Sequence, residues 1–524
     1  MTNNKETTKT GIVFWAPLIA ACLALFIVVL DSTMMNVAVP KIVKDLNTSV
    51  TAVQGIIALY SLIMASLMLV GGKLGALNGV KKVFIIGVVI YGIGTLVAAV
   101  SWNITVLALG WSLLEGVGAA MILPLSFALL VTNYEPREQA IGFGILGGVQ
   151  ASAAALGPIL GGVLTTFASW RWGFAMEAVV AVAILPFAIT IVEKKTAEEG
   201  TTLDWGGALL SFIGLFSLVL GFILAGRYGW WEATRPFTIG GIQFNPFGLS
   251  PTPILIGIGL AFIAAFVHWQ IRREKEDKTP LVSMRVLNNF RFLTGVSTNV
   301  FQSMVIAGLL FVLPLYLQSA VGYSAFQSGL ALLPFSIATF VFSLGTAGWS
   351  ERFPPKRLIQ LGIFLMSVGT MLLYSAISLN ISLVEMIVPL SVFGMGLLMA
   401  HLVNLILSSV DQKDSPEASG VNNAMDQLGN SLGTAVIGSL LIAFFLGNVV
   451  DTVLKATNVW VTSLQRTRII ARLEDARETI TDEEFRAFLD QLPTNVQRAI
   501  NKLHDVSIIR AMEDTLLVIG ALLF

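Results

Sequence analysis

Four acidic residues interrupt long apolar stretches of this chain: Asp31, Glu115, Glu177 and Asp426. A charge at the centre of a lipid-spanning helix costs roughly 2.5–3.5 kcal/mol on insertion scales. No Lys or Arg stands at comparable depth to pair with these acids. Such acids must face a wet cavity, carry a proton or wait for a cation, and a carboxyl held away from water favours its neutral form. A group that is neutral with a proton and anionic without one lets a proton and a cationic substrate compete for the same carboxylate. That is the chemistry of an exchanger. Each acid also has a plainer use. Asp31, near one end of its stretch, can bond locally. Glu115, beside Gly116 and Gly118, can bond a neighbouring helix in its protonated form. Glu177 can line a solvated wall, and Asp426 can face a vestibule.

Other motifs carry less. Gly142, Gly144 and Gly147 have the spacing of a dinucleotide fingerprint but follow no predicted strand. No phosphate-binding loop is present, because Gly72-Lys73 continues with Leu74. His268, His401 and His504 have no metal-ligand partner at helical spacing, and the single cysteine, Cys22, excludes a disulfide framework and a cysteine cluster. No metal and no cofactor are expected, only the proton as coupling ion.

The elements that must hold these acids are helices in lipid. Of 524 residues, 55% are hydrophobic and 12% charged, about half the charge of a soluble domain. Thirty-two basic residues balance thirty-two acidic ones, which gives nucleic-acid binding no electrostatic support. Continuous apolar runs predict an all-α polytopic membrane protein of fourteen spans, near 14–39, 51–72, 83–101, 104–131, 140–167, 173–192, 204–226, 252–271, 292–318, 324–349, 358–378, 384–409, 418–449 and 506–524. The first run is too long for a signal-peptide core and is read as a retained span. The last has only nine apolar residues, Leu516–Phe524, after Arg510, Glu513 and Asp514, about 14 Å of helix and half a bilayer.

Basic residues set the orientation. Lys73, Lys81, Lys82, Arg272, Arg273, Lys356 and Arg357 fall on one side, and the short connections of the other side hold only Lys41, Lys44, Arg171, Arg227 and Arg235. Both termini are therefore expected in the cytoplasm. Residues 227–251 form an aromatic outer connection whose Trp230 and Trp231 suit the interfacial belt. Residues 450–504 are polar, with capping-box spacing at Thr481/Glu484 and Thr494/Gln497, and predict an extracellular helical hairpin. The basic turn around Gly72–Lys82 is echoed by Gly348–Arg357. If the seventh and eighth spans are an insert, each turn follows the second helix of a six-helix half. The chain then divides into an N-terminal half (1–192), two inserted helices (193–291) and a C-terminal half (292–524).

With these residues in view, the chain resembles the major facilitator superfamily in its fourteen-span drug:proton antiporter branch. Leu30–Pro40 resembles the branch's first-helix signature, Gly157-Pro158-Ile159-Leu160-Gly161-Gly162 the antiporter motif of the fifth helix, and Trp170-Arg171-Trp172 the start of the sixth. Gly322–Leu330 and Ser419–Asn423 match later segments. The resemblance, over about 11–449, implies a major facilitator fold. It implies gating roles for Gly72, Gly79, Gly157, Pro158, Gly161 and Gly162, and for Glu351 and Arg352 in the second basic turn. There are departures. Ala76 stands where the family carries an aspartate, Ser112 where the fourth helix carries an arginine tied to proton transfer, Glu177 where asparagine is usual, and Asp426 where a basic residue is usual.

The expected function is that of a transporter, not an enzyme: a multidrug exporter of lipophilic or cationic small molecules, driven by proton antiport and alternating access. It is expected to act as a monomer in the lipid bilayer of the cell membrane. Export of a lipid, siderophore or metabolite, and a non-transporting receptor or scaffold, are the alternatives.

Overall fold

The computed structural model describes residues 12–191, 204–345 (less 234–236, 240–241, 244–247 and 277), 353–396, 415–457 and 494–523, with scattered positions between 402 and 473. Its long helices are α1 (Ile12–Asp45), α2 (Val50–Asn78), α3 (Val80–Ala99), α4 (Ile104–Leu130), α5 (Pro136–Phe167), α6 (Arg171–Thr190), α7 (Trp205–Tyr228), α8 (Pro251–Lys275), α9 (Phe290–Ser319), α10 (Ala325–Gly345), α11 (Pro355–Ala376), α12 (Leu383–Met395), α13 (Gly420–Lys455) and α14 (Thr494–Leu522). Among the described residues twelve helices, all but α12 and α14, are long and apolar enough to cross a membrane. The expected count of fourteen spans is therefore not supported. α12 has only 13 residues before the described chain ends at 396. α14 spends its first half on polar residues and carries Arg510, Glu513 and Asp514 within the rest. It also runs unbroken from Thr494, so the expected boundary between a hairpin arm and a last span does not exist. The middle of that hairpin, with Thr481 and Glu484, lies outside the described residues, as do Glu351, Arg352 and His401.

Helix starts are fixed by side-chain caps. Ser49, Asn103, Asp204, Ser250, Asn289 and Ser382 each accept a backbone N–H from the first turn of the helix that follows, satisfying donors that lipid would leave orphaned. Gly79 turns α2 into α3 with φ 94°, in the left-handed region that a side chain disfavours. The 227–251 connection departs from the all-helical fold: Thr238–Ile239 pairs antiparallel with Ile242–Gln243, and Glu232 bridges Leu249.

Small residues set the packing. Gly157 and Gly161 of α5 lie against Thr33 and Met34 of α1, while Gly162 meets the α10 backbone at Ala325 and Phe326. Gly329 of α10 closes on the backbone of Pro158. α5 is thus pressed between α1 and α10. A similar close approach joins α3 and α4, where Gly87, Gly94, Gly110 and Gly118 leave no room for a Cβ. The α7–α8 pair packs through Gly214, Gly221 and Gly259 and leans Leu215 and Val219 on Leu62 and Ala65 of α2. Its base is tied by Asp204, which accepts from Gly207 N, Trp269 Nε1 and Gln270 Nε2 and pairs with Arg273 at 3.6 Å.

Two stretches depart from regular α geometry. Ala108–Glu115 in α4 and Gly433–Ile437 in α13 are π-helical. Such turns widen a helix locally and recur at functional sites.

Candidate acidic exchange site

α1, α4 and α6 bring Asp31, Glu115 and Glu177 together. One carboxylate oxygen from each lies within 4.8 Å of the others, and all three side chains have no exposed surface. The π-helical turn of α4 positions this cluster. It presents Trp111, Ser112 and Glu115, all buried. Trp111 Nε1 donates to Asp31 Oδ2 at 2.9 Å, and Tyr91 of α3 donates its hydroxyl to Glu177 Oε2 at 3.1 Å. Ser112 donates to the Ile56 carbonyl of α2 at 2.8 Å. An aromatic shell closes the site. Trp111 meets Phe174 edge-on with ring centres 5.4 Å apart, and Tyr60 lies against Trp111 at 6.3 Å.

What the site lacks defines its chemistry. Asp31 Oδ1, both oxygens of Glu115 and Glu177 Oε1 are buried without a hydrogen-bond partner. No basic side chain among the described residues pairs with any of the three. Elsewhere acids have bases: Asp45 lies 3.3 Å from Lys41 and 3.9 Å from Arg171, and Asp451 meets Arg466 at 2.7 Å. Glu276, exposed past the end of α8, has its carboxyl held down to about 2 by the hydrogen bonds of Lys278 and Arg272. Two unit charges as close as the triad's repel by about 3–4 kcal/mol at an effective dielectric near 20. A triple anion therefore needs a positive partner, which a proton or another cation supplies. Ser112, at the position where the resemblance led one to expect arginine, gives no such charge. Histidine and cysteine spacing gives no metal site, but these three carboxylates are close enough to hold an ion.

Asp426 stands apart. It is half-buried, and its Oδ1 accepts from Ser303 and, at 3.4 Å, from Asn299 Nδ2, both on α9. Asn299 also donates to Asn422 Oδ1 at 3.3 Å. Of the expected gating residues, Gly157, Pro158, Gly161 and Gly162 are buried at the α1–α5–α10 contacts, and Gly72 of α2 faces Pro124 of α4.

Hydrogen bonds between the first six helices and α9–α13 cluster toward one end of the bundle, where α1 ends and α2 begins. Gln318 donates to the Val37 carbonyl, the Phe326 amide donates to Thr166, and Gln54 donates to the carbonyls of Thr434 and Ala435 in the second π turn. Sequence reasoning missed Tyr91, Trp111 and Gln54. The signal for Tyr91 was a hydroxyl in an apolar helix between Gly87 and Gly94, which burial obliges to find an acceptor.

Comparison with known proteins fits this arrangement. The chain is 28% identical over 440 residues to the methylenomycin A resistance protein of Bacillus subtilis, covering 83% of this chain and 89% of that protein. It is 27% identical over 433 residues to the tetracenomycin C resistance and export protein of Streptomyces glaucescens, covering 82% and 76%. Its fold matches the crystal structure of a bacterial homologue of the human lysosomal transporter Spinster with TM-score 0.61 at 14% identity, over 98% of this chain and 96% of that one. The Major Facilitator Superfamily pattern matches residues 21–434. Many helices crossing lipid, buried acids without bases and a pattern that spans most of the sequence converge: the chain is a multi-pass membrane transporter, not an enzyme, and belongs to the Major Facilitator Superfamily.

Proposed function

We propose that the chain is a secondary active exporter that couples outward movement of lipophilic or cationic compounds to inward movement of protons, in the manner of the drug:proton antiporter branch. It works as a monomer in the plasma membrane with both termini in the cytoplasm, its six-helix halves at 1–192 and 292–524 flanking the inserted α7–α8 pair. One observation carries the reading: Asp31, Glu115 and Glu177 share a sealed site with unpartnered oxygens and no base among the described residues. The triad takes its protons from the outer side and gives them up inside as cargo binds. Each proton entering down the membrane potential supplies about 2.3 kcal/mol per 100 mV. Export of resistance-type compounds is supported by relatives named for resistance to methylenomycin A and tetracenomycin C.

The test uses the purified full chain in proteoliposomes with an imposed pH gradient. Uptake of a fluorescent lipophilic cation such as ethidium is expected to follow the gradient and to collapse with a protonophore. Asp31→Asn and Glu115→Gln are expected to abolish gradient-driven transport. Transport that ignores both the gradient and these substitutions overturns the proposal.

A further inference from the structure

We infer that Asp426 and the polar face of α13 around it form the subsite that receives the positive charge of a lipophilic cationic cargo, separate from the acidic triad. The inference rests on the exporter reading and assigns part of its cargo site.

The first turns of α13 carry Asn422, Asn423, Asp426, Gln427 and Asn430, at helical spacings that put all five on one face. In lipid such a face must line a hydrated or ligand-filled space. Asn423, Asp426, Gln427 and Asn430 are partly exposed, whereas Asp31, Glu115 and Glu177 are not exposed at all. Asp426 is built to hold a charge in place. One oxygen is fixed by Ser303 and Asn299, which are themselves buried. Among the described residues the second oxygen makes no hydrogen bond and no basic side chain pairs with the carboxylate. Gly429 lets α13 close on α9 beside Ser303, so the two helices hold the carboxylate rigidly. The anchored, accessible carboxylate without a counter-ion suits a cation that arrives and leaves. The sealed triad suits a proton, the one cation small enough to be relayed without opening the aromatic shell.

The stretch 54–60 of α2 joins the two sites. Gln54 and Ala58 bond α13 through Thr434, Ala435 and Ser431, while Ile56 accepts from Ser112 in the π turn that carries Glu115. Cargo at Asp426 and protons at the triad therefore act on one helix.

The probe is tetraphenylphosphonium, a permanent cation that carries no proton of its own. Its equilibrium binding to purified full-length protein is measured together with the protons released on its addition. Asp426→Asn, which keeps an acceptor for Ser303, is expected to weaken binding by about tenfold or more, and Asp426→Glu to recover part of it. Glu115→Gln is expected to bind the probe but release no proton. Unchanged affinity in Asp426→Asn, or binding lost in Glu115→Gln while Asp426→Asn keeps it, overturns this assignment and leaves the exporter reading standing. A wild-type protein that binds the probe through Asp426 without releasing protons overturns proton antiport alone. One that neither binds it nor releases protons overturns both.

Discussion

The acidic triad of α1, α4 and α6 and the Asp426 cluster of α9 and α13 use the same chemical group under opposite conditions. In the triad three carboxylates are crowded, sealed by Trp111, Phe174 and Tyr60, and left with four unpartnered oxygens. At Asp426 a single carboxylate is held by two donors and partly open. A third acid, Asp204, is as buried as the triad but meets Gly207, Trp269, Gln270 and Arg273. Burial alone does not mark a working acid; burial without partners does. Buried polar groups in stable folds are almost always bonded, so the triad's orphan oxygens are a standing cost in stability that only an exchanged ligand relieves.

The sharpest way to break this comparison is Glu115→Gln. It removes one charge from the crowded site, so gradient-driven transport is expected to fall to background while the melting temperature rises by a few degrees. A melting temperature that drops as transport is lost would make Glu115 a structural residue like Asp204. The converse variant, Asp204→Ala, strands Arg273 and three other donors and is expected to cost about 3–5 kcal/mol. It is read as loss of thermal stability with the proton-to-cargo ratio of the surviving protein unchanged.

Smaller effects sharpen the geometry. A Cβ at Gly94 would sit 2.8 Å from Glu115 Cγ and 2.7 Å from its backbone nitrogen. Gly94→Ala is therefore expected to lower stability by about 1–3 kcal/mol and to disturb proton release more than Gly214→Ala in the α7–α8 pair, which serves as the comparison. Gln54→Leu removes a donor that the carbonyls of Thr434 and Ala435 share with the Gly438 N–H, an expected loss of about 0.5–1.5 kcal/mol in the contact between α2 and α13. Spin labels at Asn47 and Asn380, exposed turns at the same end of the bundle, are expected to show a longer-distance population in that variant.

Much of this was legible in the chain itself. All four acids stood out because each interrupts an apolar run, and the close-packed motif at Gly157–Gly162 was visible from its small residues. The convergence of Asp31, Glu115 and Glu177 was not legible, because residues so far apart in sequence meet only through packing at Gly94, Gly110, Gly118 and Gly157. Neither π turn has a distinctive sequence. Both the ring that makes Trp111 face Asp31 and the carbonyls that receive Gln54 arise from tertiary fit. The separation of Asp426 was hidden for the same reason, since its partners Asn299 and Ser303 lie more than a hundred residues earlier. Two of the fourteen expected spans find no support among the described residues: α12 is described only to residue 396, and α14 carries charges that no apolar tail offsets.

The central claim is that the sealed triad holds an exchangeable proton. Difference infrared spectroscopy of the purified protein observes it directly, through the carbonyl stretch of a protonated carboxyl. That band is expected to vanish when tetraphenylphosphonium is added and to be weakened or displaced in Glu115→Gln. A spectrum with no such band, or one identical in wild type and Glu115→Gln, would contradict the account.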